Sequence, residues 1–347
     1  MGSQKQVTVG NVILGGGTVA VQSMTTEKTS DVEKSVAQIL RLEEAGCDIV
    51  RVAVADEADA RAIQLVKQNI HIPLVADVHF SAKLAVLAVE SGADKLRINP
   101  GNIGGEQEIT RVADTLKAHR VPVRVGSNTG SIEPHFLEKY GVSAAALVES
   151  ALHNVRVLEK CGVSEIVISV KASSVPLTVE AYGLLHERVG YPLHLGVTEA
   201  GTEETGKIKS AIGIGSLLLR GIGDTIRVSL TADPVKEVHA AHEILRACGL
   251  ESEYVEVVSC PTCGRCRYDC MGLAQRVSER VRTVRKRLKI AVMGCVVNGP
   301  GEARGCDLGL AGGKEYCVII QKNRPDERVS ADDAERVFFG RLEGLLQ

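Results

Sequence analysis

Short runs of β-branched and apolar residues alternate with longer amphipathic segments along the first two thirds of the chain. From Ala20 onward, a strand-like run followed by a helical stretch recurs roughly every 25–30 residues, the length of a βα unit. The runs cover residues 20–23, 48–52, 73–77, 95–98, 122–125, 165–170, 192–197 and 225–229, eight in all. Between them apolar positions repeat at helical spacing. In residues 31–45, for example, Val32, Val36, Ile39, Leu40 and Leu42 supply one face. Ala45-Gly46, Ser91-Gly92 and Cys161-Gly162 place a glycine where a helix gives way to the next strand, which suits a left-handed C-cap. Eight regular units over about 230 residues predict a (β/α)8 barrel. A doubly wound sheet is the alternative, though it seldom has so many even repeats. Residues 7–17, with Gly15-Gly16-Gly17, predict a small hairpin closing the barrel bottom.

The pattern changes after residue 248. Gly249-Leu250-Glu251-Ser252 reads as a linker, dividing the 347 residues into a domain of residues 1–250 and another of 251–347. The second domain opens with a cysteine loop at 260–270 and a basic helix at 273–288. A strand (289–293), a Gly/Pro loop, a strand (316–321) and a helix (331–346) complete a small α/β domain built around metal ligands.

Composition narrows the function classes. Hydrophobic residues make up 44% and charged residues 24%, ordinary for a globular protein, so disorder and collagen-like structure are excluded. No apolar run approaches the ~18 residues of a membrane span. Residues 1–5 lack the apolar core of a secretory signal, and Gln6 breaks the myristoylation pattern. A cytoplasmic location without membrane partners is expected. Lys plus Arg number 41 against 43 Asp plus Glu, a net charge of −2 that does not favour nucleic-acid binding. With no Trp, four Phe and six Tyr, stacking platforms for single strands are scarce. Anion recognition should therefore be local.

A barrel carries its chemistry at the C-terminal ends of its strands. Arg51, Arg97, Arg124 and Arg227 fall within strands two, four, five and eight; Lys171 ends strand six; Lys209 follows strand seven in the loop or helix start. Asp77 and His79 end strand three, Asn99 and Asn128 follow strands four and five, and Glu199 follows strand seven. One strand arginine is as readily explained by a structural salt bridge. Cations on four to six of eight strands at one mouth are not, because each is costly to bury alone. Planar guanidinium groups match phosphate oxygens bidentately, so the mouth should bind something small with about two phosphates. His79 gains weight from Asp77, two residues earlier on the same face. Glu199 is either an acid–base group or a helix N-terminal cap.

Ten cysteines are present, and their distribution matters more than their number. Cys47, Cys161 and Cys248 are scattered, whereas Cys260, Cys263, Cys266, Cys270, Cys295, Cys306 and Cys317 cluster. Disulfide frameworks belong to short secreted domains, and clustered thiols in a reducing compartment are more often metal ligands. From Cys260 to Cys270 the spacing is C-x2-C-x2-C-x3-C, that of a ferredoxin-type iron–sulfur site. A CxxC also serves zinc ribbons and redox dithiols. Met293-Gly294-Cys295-Val296-Val297-Asn298-Gly299-Pro300-Gly301-Glu302 competes for the same metal, since such a loop can bring Cys295 and Glu302 to one point. Spacing alone leaves both ligand sets open.

The pairing of Ser259-Cys260-Pro261-Thr262-Cys263-Gly264-Arg265 with the Gly294 to Glu302 stretch resembles the 4-hydroxy-3-methylbut-2-enyl diphosphate synthase family. Supporting stretches are Val21-Gln22-Ser23-Met24-Thr25, Leu96-Arg97-Ile98-Asn99-Pro100-Gly101-Asn102 and Gly221-Ile222-Gly223-Asp224-Thr225-Ile226-Arg227-Val228-Ser229-Leu230. The match covers nearly the whole chain and looks like the bacterial two-domain form. The resemblance implies a (β/α)8 TIM barrel followed by a small α/β iron–sulfur domain. It implies an oxidoreductase of the methylerythritol phosphate route to isoprenoids and terpenoids. The implied reaction converts 2-C-methyl-D-erythritol 2,4-cyclodiphosphate to 4-hydroxy-3-methylbut-2-enyl diphosphate, by two-electron reductive ring opening and loss of water.

By the same resemblance, Cys260, Cys263, Cys295 and Glu302 hold a [4Fe–4S] cluster, and the usual pattern requires no cysteine at the positions of Cys266 and Cys270. A carboxylate is harder than a thiolate and more easily displaced, so Glu302 is expected to yield to substrate and to serve catalysis. Arg51, His79, Arg97, Asn99, Arg124, Asn128 and Lys209 are implied to contact the diphosphate or hydroxyls, with Asn298 from the cluster domain. Glu199 becomes the acid–base candidate. Implied partners are flavodoxin or ferredoxin as electron donor, and a second copy in a homodimer whose cluster domains cap the opposite barrels. The basic run of Arg276, Arg280, Arg282, Arg285, Lys286 and Arg287 is either a docking face for an acidic donor or a solvated surface. A competing class is an electron-carrier or zinc module fused to a phosphate-binding barrel. A metal-dependent hydrolase would need a His/Asp ligand set to which only Asp77 and His79 contribute.

Overall fold

The computed structural model describes residues 3–99, 102–282 and 284–347. Pro100 and Gly101, in the motif after strand four, lie outside the described residues, as do Met1, Gly2 and Thr283. The chain divides into two compact units, Met1–Leu250 and Glu251–Gln347.

The first unit opens with an antiparallel hairpin, β1 (Val7–Val9) and β2 (Val12–Leu14). Eight parallel strands follow: β3 (Ala20–Met24), β4 (Ile49–Val54), β5 (Leu74–Val78), β6 (Lys95–Ile98), β7 (Val123–Asn128), β8 (Ile166–Lys171), β9 (His194–Leu195) and β10 (Thr225–Ile226). A bridge between Ile168 and Leu193, with the Ile168 N–H donating to the Pro192 carbonyl at 2.9 Å, joins β8 to β9 and closes the (β/α)8 barrel. Strands seven and eight are shorter than their apolar runs predicted, so Arg227 stands just past β10. Its N–H still donates to the Leu195 carbonyl at 3.0 Å, which holds it in strand-like register.

Helices α1 (Val32–Glu44), α2 (Glu57–Lys67), α3 (Ala82–Glu90), α4 (Glu106–His119), α5 (Pro134–Tyr140), α6 (Ala144–Lys160), α7 (Val175–His186), α8 (Glu203–Leu218) and α9 (Pro234–Ala247) connect the strands. Their starts are written locally. Asp31, Asp56, Ser81, Ser143, Ser174 and Asp233 each accept a backbone N–H from the first turn, satisfying an orphan donor. Gly46 and Gly92 take φ of +95° and +97° past α1 and α3, the left-handed geometry a C-cap requires. The short α5 was not anticipated from the periodicity; Pro134 at its first turn starts it.

Side chains on a strand alternate between barrel interior and helix layer, so each interior row steps by two residues. At the strand starts this row is apolar: Ala20, Ile49, Val75 and Val167 pack with Val7, Val9 and Leu14 of the hairpin, which plugs that end as expected. Two residues further along, the same rows turn polar, from Ala20 to Gln22, Ile49 to Arg51, Val75 to Asp77 and Val167 to Ser169. The barrel is thus sealed at one end and charged toward the other.

In the second unit, β11 (Val255–Ser259), β12 (Leu288–Met293), β13 (Leu308–Ala311), β14 (Tyr316–Gln321) and β15 (Glu327–Ser330) form one sheet in chain order, parallel for the first two pairings and antiparallel thereafter. Helices α10 (Cys270–Val281) and α12 (Ala334–Leu346) bury Leu273, Val277, Phe338 and Leu342 against Ile290, Val292, Leu308 and Ile319. The alternate residues Ala291, Met293, Ala311 and Ile320 form a second cluster with Ala303 of α11 (Gly299–Ala303). The predicted basic helix ends at Val281, so Arg285, Lys286 and Arg287 sit in the connection to β12. Strands β11, β13 and β15 and the short α11 escaped the pattern reading because each is five residues or shorter.

Candidate active site

The barrel's polar interior gathers cations around very few carboxylates. Arg51, Arg97, Arg124 and Lys171, from β4, β6, β7 and β8, are each at most 8% exposed. Asp77 on β5 accepts from Arg97 Nη1 at 3.0 Å and lies 3.6 Å from Arg51 Nε. Burial by itself would raise the Asp77 carboxyl; Arg51, the His79 hydrogen bond, Arg97 and Arg124 outweigh it and hold the group well below the usual carboxylate range. His79 Nε2 lies 2.7 Å from Arg97 Nη1 and 3.4 Å from Asp77 Oδ1, so the ring sits between the guanidinium and the carboxylate. Asp77 and His79 are therefore engaged by guanidinium groups, which suits positioning of Arg51 and Arg97 and not a hydrolase's metal ligands. Arg227 is 3.5 Å from Glu237, a buried carboxylate of α9 that also accepts from the Leu230 N–H at 2.9 Å.

Arg124 lacks such a partner among the described residues. Arg124 is 2% exposed, and its Nε and Nη1 make no hydrogen bond among the described residues. Burial, then the charges of Arg51 and Arg97, push its guanidinium well below the ordinary value. Lys171 is lowered in the same way by burial and by Arg124. Burial pushes Arg51 down to about 10. A pocket that strains to keep its own positive charges has donor capacity reserved for an anion. Asn99 is buried at the end of β6. Asn128 ends β7 in register with Lys171, its backbone N–H donating to Ser131 Oγ at 3.1 Å. Glu199 is exposed in the turn after β9, with φ of +52°. A non-glycine residue in that region is strained, and such strain concentrates at working sites. Lys209 lies within α8, not at a strand end, and is half-buried.

Several interior groups escaped the sequence reading. Lys95, His194, Gln22 and Thr225 are buried in the barrel, with polar side-chain atoms that make no hydrogen bond among the described residues. Lys95 was legible, since Lys95, Arg97 and Asn99 alternate on one strand face. Glu237 was not: nothing in α9's sequence marks it as an arginine partner.

In the second unit one cavity of about 440 Å³ is lined by Cys260, Cys263, Cys295 and Glu302, together with Arg265, Gly294 and Asn298. Cys260 ends β11's extension, where its N–H donates to the Val292 carbonyl at 3.2 Å and its Sγ accepts from the Gly294 N–H at 3.1 Å. The Cys295 thiol is lowered by the backbone N–H groups of Asn298 and Val297 as the chain turns into α11. Backbone and side-chain hydrogen bonds from Arg265 lower Cys263. Asn298 stands at the N-cap position of α11, its side chain exposed and making no capping bond; Glu302, one turn on, donates its N–H to the Asn298 carbonyl at 3.1 Å. Cys266 and Cys270 do not line the cavity. Cys266 donates to the Tyr268 carbonyl at 3.2 Å, and Cys270 is buried at the start of α10.

Three thiols, two of them eased toward thiolate, and a carboxylate around one cavity fit an iron–sulfur group. Among the described residues no three His, Cys, Asp or Glu side chains close on a single ion. The basic run is largely spent on structure. Arg276 and Arg280 make paired contacts with Glu335 and Glu343 of α12 at 2.6–2.9 Å, and Arg285 meets Glu251 at 3.0 Å. Among the described residues no helix is long and apolar enough to cross a membrane.

Comparison with known proteins places these features in context. The Yersinia pestis dihydropteroate synthase structure superposes with a TM-score of 0.52 at 14% identity, over 71% of this chain and all of that one. A truncated 3-deoxy-D-arabino-heptulosonate 7-phosphate synthase from Thermotoga maritima gives 0.52 at 12%, over 71% and 91%. At such identities only the barrel fold is shared. Curated sequences are far nearer. A 4-hydroxy-3-methylbut-2-en-1-yl diphosphate synthase (flavodoxin) of Caldanaerobacter subterraneus is 58% identical over 92% of this chain and 91% of its own. The Exiguobacterium sibiricum protein of the same name is 52% identical over 91% and 86%, and that of Desulfotalea psychrophila 49% over 99% and 96%. The GcpE TIM-barrel domain matches residues 4–242 and the GcpE protein C-terminal domain residues 256–343. With both domain models matched in order across nearly its whole length, the chain belongs to the GcpE family.

Proposed function

We propose that this chain reduces a cyclic diphosphate using a buried cation cluster to hold the substrate and a [4Fe–4S] cluster on Cys260, Cys263, Cys295 and Glu302. The activity is that of its relatives, 4-hydroxy-3-methylbut-2-en-1-yl diphosphate synthase, with flavodoxin as electron donor. The substrate is 2-C-methyl-D-erythritol 2,4-cyclodiphosphate, which accepts two electrons, opens its ring and loses a hydroxyl as water. The observation that carries the reading is the cavity whose sulfur and carboxylate donors are Cys260, Cys263, Cys295 and Glu302, with Cys266 and Cys270 set behind it.

Bound in that cavity, the cluster would supply single electrons and a Lewis-acidic iron. The chain's own residues do the rest. Arg51, Arg97, Arg124 and Lys171 hold the diphosphate, whose charge replaces the carboxylates the barrel lacks. Asp77 and His79 aim Arg97, and Asn99 and Asn128 face the same end. Glu199, on a strained turn, moves a proton to the departing hydroxyl. Glu302 is the ligand most easily exchanged, and Asn298 beside it contacts substrate. Lys209, on α8, stays a diphosphate or hydroxyl contact in this reading, beside Lys171 at the end of β8. Homodimerisation belongs to the same reading and is checked by light scattering of the purified chain.

The test is anaerobic purification with metal analysis and electron paramagnetic resonance of the reduced protein. About four irons per chain, and a signal that shifts on adding the cyclodiphosphate, are expected. Zinc at about one per chain, with no iron-dependent signal, would overturn the reading.

A further inference from the structure

We propose that Cys266 is a resolving cysteine for Cys260: in the metal-free protein, peroxide joins their two sulfurs in a disulfide that withdraws Cys260 from the ligand set until a thiol reductant releases it. Only the consequence for the ligand set rests on the cluster reading; the bond itself rests on placement.

A methyl group built on Gly294 would meet Cys266 Sγ at 3.0 Å and Cys260 Sγ at 3.1 Å, so both sulfurs flank one point. Cys266 Cβ is 3.3 Å from that point, so the cysteine's stem as well as its thiol is at hand. Nothing bulkier than glycine at 294 would leave room for the two to meet. Cys260 faces the cavity, whereas Cys266 sits behind it, tethered by its Sγ to the Tyr268 carbonyl at 3.2 Å. Five residues of loop, Pro261 to Arg265, separate the pair, all within the second unit. Cys270 is the rival partner, since it also contacts Cys260. It is only 2% exposed, at the start of α10, packed with Leu273, Ile290 and Val292, and so less free to rotate than half-buried Cys266.

The chemistry balances with peroxide as oxidant. One sulfur attacks the O–O bond, giving a sulfenic acid and one water; the second sulfur displaces the sulfenic oxygen as another water. Two thiols lose two electrons and two protons in all, and hydrogen peroxide is reduced to two waters. Without Cys266 the sulfenic acid on Cys260 would face only Cys270, whose packing at the start of α10 keeps its sulfur from turning to it, and would proceed to irreversible acids. The disulfide is therefore a reversible resting form for a ligand that must survive cluster loss.

The experiment treats chelator-stripped protein with hydrogen peroxide, alkylates free thiols and maps linked peptides by mass spectrometry. A Cys260–Cys266 link, with two fewer titratable thiols, is expected. Afterwards iron uptake from ferrous iron and sulfide should fail without dithiothreitol and return with it. Cys266→Ser, checked by circular dichroism for an unchanged fold, should lose the link and show Cys260 as sulfinic or sulfonic acid, with uptake no longer restored. A link from Cys260 to Cys270 or Cys263, or no link at all, overturns the proposal. A Cys260–Cys266 link with undiminished iron uptake supports the bond and instead removes Cys260 from the cluster ligands.

Discussion

The Arg97 guanidinium donates to the Asp77 carboxylate at 3.0 Å across neighbouring strands, and both residues are more than nine-tenths buried. Asp77 is also 3.6 Å from Arg51, so one carboxylate orders two cations of the mouth. Removing one partner of a buried pair leaves an uncompensated charge, at a cost of about 3–5 kcal/mol. Asp77→Asn should lower stability by about 3 kcal/mol in urea unfolding. The Asp77 carboxyl is held below its ordinary value of 3.8 in the fold. Its contribution is therefore present above that value and lost as the pH falls through the folded one. The variant's stability should thus fall less steeply than the parent's in that acid range. An unchanged acid limb would refute the role given to Asp77.

Arg124 should behave oppositely. It is buried with Nε and Nη1 unpaired among the described residues, so Arg124→Met should raise the stability of the substrate-free protein by about 1–4 kcal/mol. The same variant should raise KM for the cyclodiphosphate by roughly 10–100-fold, the loss of a charged hydrogen-bonding group. Visible absorption of the cluster should stay. Falling stability together with falling absorption would point to misfolding instead.

Glu302→Ala should still assemble iron and sulfide, because three thiols remain. Turnover should drop by about tenfold or more, at least ~1.4 kcal/mol of barrier. Activity equal to the parent's would remove the carboxylate from the ligand set.

Gly294→Ala tests the cavity wall. The added methyl would sit 3.0–3.1 Å from two sulfurs, so one must shift. Overpacking of this kind costs about 1–3 kcal/mol. Iron retained per chain after gel filtration should fall, with the barrel's spectroscopic unfolding unaffected.

Glu199 separates strain from chemistry. Glu199→Gly should gain about 1 kcal/mol by relieving the left-handed backbone and still lose turnover. Glu199→Gln should lose turnover with no such gain. Full activity in the glutamine variant would reduce Glu199 to a turn residue.

The barrel was legible because its helices are long enough for period to speak, because apolar runs recur between them at an even spacing, and because capping residues stand at helix starts. The second sheet was half legible. Val255–Ser259, Leu308–Ala311 and Glu327–Ser330 are too short to show a period, and they become strands only by pairing with neighbours. Among the site residues, the strand-borne cations could be placed because side chains alternate along a strand. Lys171 was placed the same way, while Lys209, put in the loop or helix start after strand seven, lies in the second turn of α8, since a helix boundary is set by capping and not by alternation.

The sequence by itself determined the barrel, the cation-rich strand ends and the two cysteine motifs, since each depends on residue type and spacing along the chain. Tertiary structure decided that Asp77 belongs to Arg51 and Arg97, that Glu237 reaches Arg227, and that Arg276 and Arg280 are spent on α12. It also set Cys266 and Cys270 behind the cavity while Cys295 and Glu302 came to its wall. Spacing fixes how far apart two groups are along a chain; which of them face one another depends on the strand pairing and helix packing that fold the intervening residues away.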